Sequence, residues 1–174
     1  MFYSALPKKN MKNKNTAFLP QAALIAAFYV VLTFIASALG LSSGVIQVRF
    51  SEALCILPIF TPAAIPGLYI GCLLANLLTG AVIWDVIFGS LVTLTAAVCT
   101  RMLRKTPFLG TLPPVILNGL IIPIILIYAY EVPDAYWYLV LTVGAGELIS
   151  CTVLGWILYN VLKKYKGTLF KKNR

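Results

Sequence analysis

From Thr16 to Leu41 the chain runs for 26 residues without a charged side chain. About twenty apolar residues in a helix cross a hydrocarbon core of about 30 Å. Inside lipid a helix satisfies its own backbone polar groups, so a run of this kind is expected to be helical. Further apolar runs follow as far as Leu162. The whole 174-residue chain is 60% hydrophobic and 11% charged, where soluble domains carry about 25% charged residues. Its mean hydropathy is +0.92. The expected fold class is an all-α integral membrane protein.

Pro, Gly and charged residues divide the apolar text into six spans. Span one is Thr16–Leu41. Span two, Ser51–Phe60, is short enough to be tilted or incompletely spanning. Thr61-Pro62 and Pro66-Gly67 mark a break before span three, Gly67–Leu78. Thr79-Gly80 and Trp84-Asp85 form the next turn. Span four is Val86–Arg101, span five Val115–Tyr130 and span six Tyr136–Leu162, with Glu131-Val132-Pro133-Asp134 as an acidic turn before the last. Residues 1–15 read as a disordered basic tail, with Met11 as an alternative start and no signal peptide. Residues 16–162 form the membrane domain, and residues 163–174 a basic tail.

The net charge is +9, and its distribution is a topology signal before it is a nucleic-acid signal. Six crossings place Lys8, Lys9, Lys12 and Lys14, the loop with Arg101, Arg104 and Lys105, and the lysine-rich C-terminus on one side. Arg49 alone among the basic residues is left out. The acids Glu52, Asp85, Glu131, Asp134 and Glu147 then fall in the outer half or the membrane. Five crossings, with residues 50–79 as one kinked span, would separate the two basic ends. The positive-inside rule therefore favours six transmembrane helices with both termini cytoplasmic, in the cell membrane.

The stretch Gln47–Ser90 holds Arg49, Glu52, Asn76 and Asp85 in otherwise apolar text. An ionisable group at membrane depth costs roughly 2.5–3.5 kcal/mol or more, so it faces a partner, a cavity or a ligand. Arg49 and Glu52 are three apart and able to pair on one helical face. Two readings stand. In one, Ser51 and Asp85 cap helices and the ion pair is structural. In the other, these groups line an outward pocket with Trp84 as a flat wall, or with Trp84 as an interface anchor beside it. Glu147 lies about 16 Å into span six at 1.5 Å per residue, too deep for a cap. Gly144 and Gly146 beside it permit close approach of a backbone or ligand. Asn76 and Asn118 are candidate donors and acceptors, or interhelical glue. Ala22, Ala23, Ala26 and Ala27 form small-xxx-small pairs on span one. The stripes at Gly67, Gly71, Ala75 and at Gly89, Thr93, Ala97 read as internal packing.

Absences exclude several chemistries. There is no phosphate-binding loop, and therefore no ATPase on this chain. Without histidine there is no Ser-His or Cys-His pairing and no HExxH zinc site. Cys55, Cys72, Cys99 and Cys151 lie in apolar runs, form no CxxC, and read as small buried hydrophobes. No resident metal or cofactor is expected, and no enzyme.

With these residues in view, the chain resembles the QueT-type queuosine-precursor transporter family, substrate-binding (S) components of energy-coupling factor (ECF) transporters. The matching text is AALIAAFYVVLT, IQVRFSEAL, FTPAAIPGLYIGCLLANLLTG, WDVIFGSL, LPPVILNGLI and GELISCTVLG, across roughly residues 17–162. The resemblance implies six helices with cytoplasmic ends and a small-molecule site opening outward. It implies an alanine face, Ala22, Ala23, Ala26 and Ala27, docking on a membrane coupling subunit. ATP would be used by two separate ATPase subunits, with none bound by this chain. The substrate would be a 7-deazaguanine such as preQ1, or queuine. The site set is then Glu147, Asp85, Glu52, Arg49, Asn76, Asn118 and Gln47, with Trp84 or Trp137 stacking on the ring at roughly 1–3 kcal/mol per base. A carboxylate accepts the two adjacent N–H groups of a guanine-like edge, and an aminomethyl cation wants a second carboxylate. The competing classes are a self-contained proton-coupled secondary transporter using Glu147 and a membrane scaffold without substrate.

Overall fold

The computed structural model describes residues 17–42 and 46–169. The expected tail 1–15, the start of span one at Thr16, and Lys171, Lys172 and Arg174 lie outside the described residues. Four helical stretches are long and apolar enough to cross a membrane: Phe18–Ala38, Asp85–Met102, Leu109–Ala129 and Tyr136–Lys164. Two shorter apolar helices, Phe50–Ile59 and Ala64–Leu78, complete the set. No strand occurs among the described residues.

Helix α1 is Phe18–Ala38 and α2 is Ala64–Leu78. They pack along each other through small residues. A Cβ added at Gly67 would lie 2.8 Å from the Ala22 carbonyl oxygen, and one at Gly71 would lie 2.7 Å from Tyr29 Cβ. The stripe Gly67–Gly71–Ala75 is therefore internal packing. So are Ala22 and Ala26, each 6% exposed. Of the four alanines expected at a docking face, Ala23 and Ala27 lie on the outside of α1. Large apolar side chains on the outer faces, such as Leu24, Phe28, Val31 and Leu141, are exposed, as lipid contact requires.

Between α1 and α2 the chain forms a 3-10 helix, Phe50–Ile59. Ten residues in this form are unusual, because runs beyond three or four are uncommon. The tight winding rises about 2 Å per residue, so ten residues cover about 20 Å where an α-helix would cover about 15 Å. A short span thus reaches far. Its last carbonyls, of Pro58 and Ile59, accept from Arg101 Nη1 at 2.8 and 3.2 Å. Ser51 does not cap this helix: its hydroxyl accepts from Thr33 Oγ1 at 2.9 Å, while Arg49 occupies the N-cap position in extended geometry.

The next helical stretch begins with a π-helical turn, Asp85–Gly89, and continues as α3, Ser90–Met102. Asp85 lies inside this helix, behind the N-cap position of Trp84, and makes no cap hydrogen bond. Helix α4 is Leu112–Ala129. Helix α5, Tyr136–Glu147, passes through a second π-helical segment, Leu148–Leu154, into α6, Gly155–Lys164. A last turn, α7, covers Lys166–Leu169.

The chain alternates between two ends of the bundle. One end gathers the turns after α1 and α2 and the end of α4, joined where Val82 N donates to Tyr130 Oη. The turn after α2 uses Gly80 at φ +75°. The other end gathers Gln21, Thr61 and the Arg101 contact to Pro58. The core sits where α1, the 3-10 helix and α2 meet, around Tyr29, Leu54, Leu57 and Leu68.

Candidate functional site

The 3-10 winding builds half of the site. Side chains three apart eclipse in a 3-10 helix, so Arg49, Glu52 and Cys55 line up on one face. Glu52 is 2% exposed. Its Oε1 accepts from the Tyr29 hydroxyl, and its Oε2 accepts from Cys55 Sγ at 3.0 Å. The sequence suggested an Arg49–Glu52 pair; in the fold the Glu52 carboxylate is held by Tyr29 and Cys55.

The end of α5 supplies the facing half. Glu147, 8% exposed, accepts from Cys151 Sγ at 3.2 Å, and Asn118 of α4 lines the same void. Gly146 lets the backbone of Gln47 come close: a Cβ there would sit 2.1 Å from the Gln47 carbonyl oxygen. One residue pair on, Arg49 N donates to Ser150 Oγ at 3.0 Å, and Ser150 in turn donates to the Gly146 carbonyl at 2.9 Å. The loop before the 3-10 helix is thereby laid onto α5.

Asp85 forms the third wall. Its Oδ2 accepts from Tyr130 Oη at 3.1 Å. Its Oδ1 is buried without a hydrogen-bond partner among the described residues. Gly89 leaves room for that oxygen, since a Cβ there would lie 2.6 Å from it. Asn76 Nδ2 donates to the Asp85 carbonyl at 3.3 Å.

These groups surround one void of about 20 Å³, room for a single water. Gln47, Arg49, Glu52, Asn76 and Asp85 line it, with Asn118 and Glu147 opposite. A second cavity of about 230 Å³ shares Arg49, Asn76 and Asp85 with the void and runs out to Ser37, Thr79 and Tyr130. The cluster is thus reached from the end of the bundle that carries Asp85. A bicyclic molecule reaches Glu52 and Glu147 only if side chains between the two spaces part. Arg49 is the cation of the site. Burial opposes its charge, but the Asp85, Glu52 and Glu147 carboxylates more than offset it and raise its pKa.

Two expected residues are elsewhere. Trp84 is 56% exposed and stacks on Phe88 with ring centroids 5.9 Å apart, on an apolar groove with Ile124 and Tyr128. Trp137 is 70% exposed and edges onto Tyr136. Neither lines the void, because both project from the outer surface of their helices. Their position matches the anchor reading of Trp84.

Other groups of the site escaped the sequence reading. Tyr29 was passed over as part of an apolar run, yet it shares a helical face with Ala22 and Ala26 and is 2% exposed. Cys72 and Thr93 also line the void, with Thr93 Oγ1 3.4 Å from Cys72 Sγ. Cys55 and Cys151 are buried, as expected, but they also donate to carboxylates. A signal was present: each cysteine follows an acid by three or four residues, in EALC and ELISC.

A model of the QueT transporter family matches residues 19–164. The queuosine precursor transporter QueT of Lactococcus lactis subsp. cremoris (strain MG1363) is 38% identical over 84 residues. That alignment covers 48% of this chain and 49% of the relative, so about half the length of the curated protein is spanned. No solved structure matches the chain.

Proposed function

The chain belongs to the QueT transporter family, and from that membership we propose that it is the substrate-binding S component of an ECF-type importer for a queuosine precursor, a 7-deazaguanine such as preQ1 or queuine. It is a multi-pass membrane protein of a transporter family. The observation that carries the proposal is the gathering of three buried acids and three amides around one void, with a single guanidinium among them. Such a set is short of donors. A guanine-like edge brings two adjacent N–H groups, and an aminomethyl substituent brings a cation.

In this reading Glu147 accepts the paired N–H groups, with Asn118 fixing its orientation. Asp85, with one unpartnered oxygen, meets the cation. Arg49 and Gln47 close over the ligand from the loop, and the polar cavity beside Tyr130 is the entry route. The basic residues Arg101, Arg104, Lys105, Lys163, Lys164 and Lys166 lie at the opposite end, so the positive-inside rule turns the cavity outward and both termini to the cytoplasm. A membrane coupling subunit would meet the exposed Ala23–Ala27 side of α1, and partner ATPases would supply the energy.

Calorimetry on purified protein with preQ1 and queuine tests the site. Glu147→Gln replaces an acceptor by a donor facing a donor. A hydrogen bond to a charged group is worth about 1.5–3 kcal/mol, so affinity for both ligands should fall at least about tenfold. Asp85→Asn should weaken preQ1 more than guanine, which lacks the aminomethyl group. Folded Glu147→Gln protein that binds like the wild type would remove the carboxylate from the site. Uptake by vesicles containing this chain alone would replace the reading with a proton-coupled carrier.

A further inference from the structure

The two thiols that hold the carboxylates form, together with Glu52, a set of three convergent donor atoms, and Glu147 adjoins the set through Cys151. Cys55 Sγ is 3.0 Å from Glu52 Oε2, Cys151 Sγ is 4.0 Å from that same oxygen, and Cys151 Sγ is 3.2 Å from Glu147 Oε2. The donor atoms of Glu52, Cys55 and Cys151 all lie within 4.8 Å of one another, and all three residues are buried. We propose that Glu52, Cys55 and Cys151 bind a borderline-soft divalent cation of the zinc class, and that the cation and the small-molecule substrate compete.

Geometry and donor type support this. Zinc–oxygen bonds of about 2.1 Å and zinc–sulfur bonds of about 2.3 Å put the ligand atoms of a tetrahedral site about 3.6–3.8 Å apart. The three donor atoms lie within 4.8 Å of one another, so shifts of about an ångström bring them onto three corners of a tetrahedron. Two sulfurs and a carboxylate oxygen suit zinc or cadmium and disfavour magnesium and calcium, which take oxygen alone. The carboxylate is also held from outside the set. Tyr29 donates to the other oxygen of Glu52. Outer partners of this kind fix ligand orientation in metal sites.

The backbone explains why the donors converge. Glu52 and Cys55 eclipse on the 3-10 helix. Glu147 and Cys151 are four apart where α5 becomes π-helical. The sequence reading looked for CxxC or histidine spacing and found none, since the two thiols come from different helices and the third donor is an acid. Binding would release the two thiol protons to solvent. Two thiolates and one carboxylate are then offset by the dication and, in part, by Arg49. Glu52 also lines the central void, so a cation that takes it competes with a ligand for that carboxylate. That competition rests on the transport reading above; the cation site does not.

Titration of the full-length purified protein with cadmium, followed by thiolate-to-cadmium charge-transfer absorption, is the test. One cadmium per chain is expected, displaced by excess zinc. Cys55→Ser and Cys151→Ser should each weaken binding at least tenfold, and Cys99→Ser, away from the cluster, should not. Glu52→Gln should weaken cadmium at least tenfold while both cysteines remain, and circular dichroism identifies variants that stay folded. Absence of the thiolate band in the wild type, or its survival in folded Cys55→Ser/Cys151→Ser protein, would overturn the site. Adding preQ1 to cadmium-loaded protein should bleach the band; a band that persists with preQ1 bound would overturn the competition. The metal arm needs no precursor, so its failure is separate from that of the transport reading.

Discussion

Tyr29 belongs to two regions that are built in opposite ways. Its Cβ packs on Gly71 in the seam between α1 and α2, and its hydroxyl donates to Glu52 in the polar cluster. The seam is made of regular α-helices whose small residues bring backbones into contact. Lipid tails are as apolar as the side chains, so such a seam gains from close packing and not from water release. The cluster is made from irregular winding, one 3-10 helix and the entries to two π-helical segments. Extra or missing residues per turn re-aim side chains, which is how three acids point at one void. The seam holds position, and the irregular segments hold chemistry.

Gly146 should give the largest break. A Cβ there meets backbone, not the flexible end of a side chain, so in Gly146→Ala the Gln47–Arg49 loop must lift from α5. We expect more than tenfold loss of preQ1 affinity by calorimetry with the helical content retained. Unchanged affinity would mean the loop does not contribute to the site. Gly71→Ala strikes the seam instead. Overpacking of this kind costs about 1–3 kcal/mol, visible as a lower melting temperature in detergent, with the affinity of the folded fraction kept. A variant that melts normally but fails to bind would show that the two regions are not separable.

Ser150→Ala sharpens the comparison on a smaller scale. It removes the acceptor of the Arg49 N–H and one neutral hydrogen bond of about 0.5–1.5 kcal/mol. Affinity should fall a few-fold, and no change would place the loop anchor at Gly146 alone. Gly144→Ala should do least. No heavy atom lies within 4 Å of the position its Cβ would take, and alanine favours a helix over glycine by about 1 kcal/mol. Melting should hold or rise, with binding unchanged. A loss of binding there would extend the site to a face that now looks open.

What the sequence determined by itself was the solvent and the division of the chain. Apolar run lengths reported lipid, and Pro, Gly and charge placed the six helical stretches within a few residues of where they lie. It also singled out Gln47, Arg49, Glu52, Asn76, Asp85, Asn118 and Glu147, because a polar group in apolar text is conspicuous wherever it ends up. Only the tertiary structure decided direction. Which side of α1 is buried was hidden, since Ala22, Ala23, Ala26 and Ala27 are the same residue type and neighbouring spans are apolar all round. Trp84 adjoins Asp85 in sequence but points outward, a matter of about 100° per residue on a helix. The roles of Tyr29, Cys55 and Cys151 were equally invisible. Their polar atoms matter only because the 3-10 and π windings turn them onto Glu52 and Glu147, and winding depends on packing between helices far apart in the chain.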